Sequence, residues 1–106
     1  MAADLTLTRA SENSNVGRIA SLTTVQTIAV SNLNYLDVTT TAKIYYRYGE
    51  TDAAFGDTAK SMVLAGMCRS IPRDPNVNST SPWYISVVAD AGAAEIDFVA
   101  YNQGGA

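Results

Sequence analysis

Hydrophobic and polar residues alternate along much of this chain with a period of two, which is the pattern of β-strands. In residues 94–101, Ile96 and Phe98 fall on one side, whereas Glu95 and Asp97 fall on the other. Such alternation is typical of a strand that buries one face and exposes the other. The segment therefore predicts a half-buried strand with an acidic outer face.

A second alternating segment, residues 83–89, comes just before this strand. The four residues between the two segments, 90–93, have turn chemistry, because Gly92 can adopt a positive φ and Asp90 favours turns. A strand, a short turn and a second strand are together typical of a β-hairpin. We therefore predict a β-hairpin over residues 83–101.

Residues 42–48 predict another strand, because Ile44 and Tyr46 alternate with more polar neighbours and fall on one predicted core face. Residues 35–38 predict a short strand. Residues 62–71 are expected to be extended or to begin as a helical turn.

Residues 22–30 are rich in Thr, Val and Ile, which favour strands. Their alternation is imperfect, because Leu22, Ile28 and Val30 are in phase but Val25 is not. A bulge, or a strand that is covered on both faces, would explain the break. Both alternatives keep this segment in a sheet.

Three segments rich in Gly, Pro, Asn, Asp or Ser are predicted to be loops: residues 10–16, 49–60 and 72–82. Several short strands with turns between them are typical of all-β domains. We expect a single antiparallel β-sandwich or small barrel, Ig-like or jelly-roll-like, over residues 19–106. Residues 1–18 are expected to form an extended N-terminal arm.

The low charge content of the chain bears on the nature of its surface. Only 16% of the 106 residues are charged, and the net charge is −3; an ordinary soluble domain has roughly 25% charged residues. Charged residues are depleted at the cores of protein interfaces. The composition therefore favours a protein-contact surface, and the acidic balance weighs against a nucleic-acid partner.

The residues that usually carry catalysis are scarce. Histidine is absent, which removes the usual general base and the commonest metal ligand. Cys68 is the sole cysteine. We expect it to be a small apolar residue of the segment 62–71 instead of a nucleophile or an intermolecular bridge, since no histidine can activate the thiol. Glu95 and Asp97 are predicted to face solvent instead of forming a catalytic pair. The sequence predicts no enzyme, no cofactor and no metal site.

The first residues of the chain, 1–8, have neither a basic n-region nor an apolar h-region. We therefore expect no signal peptide. No apolar stretch reaches the length of a membrane-spanning helix. We expect synthesis in the cytoplasm and no membrane partner.

Tyrosine residues on the predicted outer faces of the strands give the most specific candidate surface. Aromatic side chains on an exposed sheet face favour cover by another subunit, or a site where a sugar ring stacks. Polar loops and an arm could add contacts to the same partner. The predicted contact residues are Tyr45, Tyr84 and Tyr101, with Leu5 and Leu7 of the arm and Pro72 and Pro75 of the proline-rich loop.

Two segments of the C-terminal half resemble small β-sandwich virion proteins of tailed bacteriophages. The first is residues 42–48, which is followed by a loop of Gly, Asp and Ala residues. The second is the strand, small-residue turn and strand of residues 83–101. The resemblance covers roughly half of the chain.

The resemblance implies a viral structural protein, most specifically a capsid decoration (cement) protein that stabilises a phage head through contacts with the major capsid protein. It also implies location in the virion and a homo-oligomer, of which a trimer is one form. Two alternatives remain open: a head–tail or tail-base structural protein, and a carbohydrate- or receptor-binding β-sandwich module that uses Tyr45, Tyr84 or Tyr101.

Overall fold

The computed structural model describes residues 4–8, 14–49, 61–78 and 80–102. These residues contain strands and turns but no helix, which confirms the predicted all-β class. The strands are β1 (Leu5–Leu7), β2 (Val16–Leu22), β3 (Gln26–Val30), β4 (Tyr35–Thr40), β5 (Ile44–Tyr48), β6 (Ser61–Val63), β7 (Cys68–Pro72), β8 (Trp83–Ala89) and β9 (Ala94–Tyr101).

The strands form two sheets that enclose one hydrophobic core. The five-stranded sheet has the order β1-β3-β8-β5-β6, and the four-stranded sheet has the order β2-β9-β4-β7. Neighbouring strands are antiparallel, except that β1 runs parallel to β3. Large, fully buried side chains come from both sheets: Ile28, Ile44, Trp83 and Ile85 from the first, and Leu22, Leu36, Ile96 and Phe98 from the second.

The predicted hairpin over residues 83–101 is wrong. β8 pairs with β3 and β5, whereas β9 pairs with β2 and β4 in the other sheet. The connecting turn contains Gly92 at φ 67° and carries the chain from one sheet to the other. Both strands bury alternate side chains in the shared core, so a crossover between facing sheets gives the same alternation as a hairpin.

Two other predicted strands are each divided by a turn. Residues 22–30 contain the end of β2 and all of β3, which belong to different sheets. Val25 lies between these strands, which explains why it is out of phase. Residues 62–71 likewise contain parts of β6 and β7, with Gly66 at φ 75° in the turn between them.

Residues 1–18 contain β1 and the first part of β2. β1 pairs with β3, and Leu7 is completely buried in the core. Beyond this strand, the Ser14 carbonyl accepts a hydrogen bond from the Thr8 backbone N–H. β2 then begins at Val16.

The side chains of Tyr48 in β5 and Arg69 in β7 link the two sheets near β6. The Tyr48 hydroxyl donates a hydrogen bond of 2.6 Å to the Pro72 carbonyl, which links β5 to β7 in the other sheet. The Arg69 guanidinium lies 5.6 Å from the ring centroid of Tyr46 and donates to the Met62 carbonyl. These contacts connect the margins of the two sheets where their strands do not pair.

Candidate interaction surface

The outer face of the four-stranded sheet carries a row of ring-containing side chains. Tyr35 of β4 lies opposite Tyr101 of β9 on one side and opposite Pro72 of β7 on the other. The two tyrosine rings stack with centroids 5.4 Å apart and an interplanar angle of 21°. Stacking of this kind stabilises the relative positions of the two rings.

Two valines extend this row into a larger apolar surface. Val16 of β2 lies opposite Val99 of β9, and the two residues are 45% and 41% exposed. Val99 is two residues before Tyr101, so it projects from the same face of the strand. We call the surface formed by Val16, Tyr35, Pro72, Val99 and Tyr101 the apolar half of this sheet. Asp37 lies within it opposite Val99, and its carboxylate accepts a hydrogen bond from the Ser70 hydroxyl.

The remainder of the outer face contains charged residues. Arg18 of β2 lies opposite Asp97 of β9, with 3.9 Å between Arg18 Nε and an Asp97 carboxylate oxygen. Arg18 also forms an ion pair with Glu95. The prediction that Glu95 and Asp97 occupy the outer face is confirmed, and both carboxylates neighbour a cation there.

A concavity of about 380 Å³ opens beside the aromatic row, and Asn34, Tyr35, Pro72 and Arg73 line it. The chain is fixed on both sides of it. The Asn34 backbone N–H donates to the Asn102 side-chain oxygen, and the Asn34 carbonyl accepts from the Arg73 backbone N–H at 2.8 Å. We call this concavity the Arg73 pocket.

Arg73 also organises the loop that follows β7. Its Nη2 atom donates to the carbonyl oxygens of Asn78 and Ser81, each at 2.5 Å. Its Nε atom is buried and has no hydrogen-bond partner. Among the described residues, no carboxylate forms an ion pair with this guanidinium.

The seven predicted contact residues fall in three regions of the molecule. Tyr101 and Pro72 meet in the aromatic row, and Pro75 is exposed in the turn after β7. Tyr45 and Tyr84 are half-buried on the outer face of the five-stranded sheet. Leu5 and Leu7 lie in β1.

The outer tyrosine of β5 has a cation beside it. Lys43 Nζ lies 5.2 Å from the ring centroid of Tyr45. The hydrogen bond with the Tyr45 side chain, together with the charges of Tyr45 and Asp90, raises the pKa of Lys43 above its ordinary value. Tyr45 lies on the outer face of the five-stranded sheet and Tyr101 on the outer face of the four-stranded sheet. The hydrophobic core lies between them, so the two residues do not form one site.

Sequence reasoning missed Tyr35, which is central to the row. The signal was present in the alternation of β4, because Leu36 and Val38 face the core and Tyr35 must then face outward. It also missed Arg73 and Asn34, which flank strands and carry no periodic signal. Their proximity follows from the pairing of β4 with β7.

A second exposed apolar cluster lies where β6 turns into β7. Met62, Leu64 and Met67 line a shallow concavity of about 240 Å³ together with Cys68 and Arg69. Cys68 is exposed. The reason is its phase in β7, which puts Cys68 and Ser70 outward and Ile71 inward.

The described residues contain no group of three or more cysteine and acidic side chains placed to hold a metal ion, and none of their elements is a helix that could span a membrane. Burial raises the pKa of Tyr48, whose hydroxyl is engaged with the Pro72 carbonyl. Comparison of the chain with protein-family models, curated proteins and solved structures found no match.

Proposed function

We propose that this chain is a structural subunit that acts by protein contact, and specifically a viral structural protein of the capsid decoration type. The observation that carries the proposal is the apolar half of the four-stranded sheet. All four strands contribute to it, and it exposes two valines and a stacked tyrosine pair. Tyrosine is enriched among the residues that dominate binding energy at interfaces.

The sheet makes this surface well suited to repeated contacts. Its side chains project from hydrogen-bonded strands, so little conformational freedom is lost when a partner binds. A stable interface buries about 800 Å² on each partner. Attachment of several subunits around a symmetry axis would then raise the total affinity without a tight individual contact.

The fold is consistent with the sandwich form of this class. Each sheet has two edge strands, and no pair of described strands joins one sheet to the other through hydrogen bonds. A barrel requires a closed set of strands. We therefore assign the domain to a β-sandwich.

The virion assignment is supported by the low charge content and by the resemblance of residues 42–48 and 83–101 to small phage virion proteins. Its partner would be the major capsid protein, and its location the outside of the head. A head-to-tail connector would use the same kind of surface against a different subunit.

Co-sedimentation tests the proposal directly. Wild-type chain is mixed with expanded heads assembled from the major capsid protein of the same genome, and the mass of the free chain is measured by light scattering. We expect saturable binding to heads. Val99→Asp places a charge in the apolar half and is expected to weaken binding by about tenfold or more.

The matched control is Thr6→Asp, because Thr6 is an exposed, β-branched strand residue of the five-stranded sheet. It is expected to bind heads as the wild type does. A chain that stays monomeric and does not bind heads would contradict the proposal, as would a genome with no capsid or tail gene beside the gene of this chain.

A further inference from the structure

We propose that the Arg73 pocket receives a carboxylate side chain of the partner protein, with Arg73 as its charge partner. This inference rests on the proposed function, since it names the chemistry of the partner at the contact surface. The pocket adjoins the apolar half through Tyr35 and Pro72, which belong to both. A partner that covers the aromatic row therefore also reaches the pocket.

Arg73 forms no ion pair with a residue that the structure describes. The ion pairs among these residues join Arg18 to Glu95 and Asp97 and leave Arg73 out. Nη2 is the only one of its three side-chain nitrogen atoms that donates hydrogen bonds to described residues, and both acceptors are carbonyl groups. An anion is thus the ligand that this guanidinium lacks.

The guanidinium is already held in position. The Arg73 backbone is fixed to Asn34 at the end of β7, and Nη2 is fixed to the loop carbonyls of Asn78 and Ser81. Binding would therefore cost little side-chain ordering, which favours affinity. Arg73 is one of the residues that line the pocket, and its Nη1 atom has no acceptor within the described residues.

The other pocket walls suit a carboxylate on a peptide. The Asn34 side chain is exposed, and its amide group forms no hydrogen bond with a described residue. It can donate to a carboxylate that Arg73 attracts. Tyr35 offers an aromatic surface beside these donors, so we expect a Glu or Asp next to an apolar residue in the partner.

A nuclear magnetic resonance titration tests the inference without knowledge of the partner. Because Arg73 Nε is buried, we expect its N–H group to exchange slowly with water and to give a separate signal. The probes are the capped dipeptide acetyl-Glu-Phe-amide, its neutral counterpart acetyl-Gln-Phe-amide, and N-acetylneuraminic acid. We expect a saturable shift of the Arg73 Nε–H signal with the Glu peptide and at least about tenfold weaker binding of the Gln peptide.

Two variants that each add one negative charge test whether the peptide binds at this pocket. Asn34→Asp adds a negative charge to the pocket wall and keeps the Arg73 loop contacts. It should therefore lower the affinity for the Glu peptide by about tenfold or more. Ala91→Asp adds the same charge in the exposed turn before β9. That turn is roughly 20 Å along the strand from Tyr101, beyond the screening length, and the affinity should be unchanged.

Each result decides the matter. Absence of a shift with the Glu peptide, equal binding of the Gln peptide, or loss of binding in both variants would overturn the inference. Binding of N-acetylneuraminic acid without binding of the Glu peptide would also overturn it, in favour of a glycan site. If the Asn34→Asp variant binds heads as the wild type does, the proposed function stands but the pocket has no part in head binding. If the chain binds the Glu peptide but does not bind heads, only the proposed function is refuted.

Discussion

The backbone of Gly17 in β2 lies so close to the side chain of Leu5 in β1 that a Cβ atom at position 17 would come within 2.7 Å of Leu5 Cδ2. Leu7 Cδ2 would lie 3.1 Å from the same atom. β1 and β2 are edge strands of different sheets. The absence of a side chain at Gly17 therefore lets the two sheet margins approach each other, and β1 packs over β2.

Gly17→Ala is expected to lower the free energy of unfolding by about 1 kcal/mol, the low end of overpacking costs, because the added methyl group displaces the end of the Leu5 side chain. Urea denaturation measures the change. The control is the same substitution in a Leu5→Ala background, where the closest clashing atom is gone and the cost should be smaller. Equal costs in both backgrounds would show that the Leu5 contact is not the cause.

Leu7→Ala tests whether β1 is part of the folded core. Leu7 is completely buried and β1 pairs with β3, so the truncation should destabilise the domain by about 2–5 kcal/mol. Thr6→Ala on the same strand is the matched control, because Thr6 is exposed, and its effect should stay within about 0.5 kcal/mol. Urea denaturation of both variants makes the comparison, and a Leu7→Ala protein as stable as the Thr6→Ala protein would contradict it.

The sequence predicts individual strands better than their pairing. The alternation in β5 and β9 identified which side chains are buried, because a half-buried strand must place apolar residues at every second position. It could not tell that β8 and β9 lie in different sheets. Both arrangements bury Ile85 and Ile96 equally, so the burial pattern is the same and only long-range pairing separates them.

The candidate surface was predictable only in part. Tyr101 and Pro72 were identified from exposure and loop chemistry, but their contact through Tyr35 depends on the register of β4 with two neighbours. Arg73 and Asn34 are polar residues outside any periodic segment. Their pocket exists because strands distant in sequence end at the same margin of the sheet, which no local pattern encodes.

Cys68 is expected to react in the native state. Its side chain is exposed on the outer face of β7, so a thiol reagent such as 5,5′-dithiobis(2-nitrobenzoic acid) should modify it without prior unfolding. The rate in buffer is compared with the rate in denaturing urea, and the two should agree within about tenfold. A native rate lower by several orders of magnitude would show that the thiol is protected.

Tyr48 should make stability depend on pH in the alkaline range. Burial is the largest cause of the raised pKa of Tyr48, and nearby Tyr46 and Asp74 raise it further. The unfolded chain therefore ionises this phenol at a lower pH than the folded protein does. The contribution to stability is fully present below the unfolded pKa, about 10, and is lost as the pH rises through the higher folded pKa.

Tyr48→Phe removes both this titration and the hydrogen bond to the Pro72 carbonyl. We expect a loss of about 0.5–1.5 kcal/mol near neutral pH, where the phenol is protonated in both states. As the pH rises above about 10, the wild type should lose stability more steeply than Tyr48→Phe, so the difference between them should shrink. Lys43, whose pKa is also raised, is common to both proteins and cancels in this comparison. Urea denaturation from neutral into alkaline pH gives the free energy of unfolding of both proteins. Parallel curves would show that ionisation of Tyr48 is not coupled to the contact between β5 and β7.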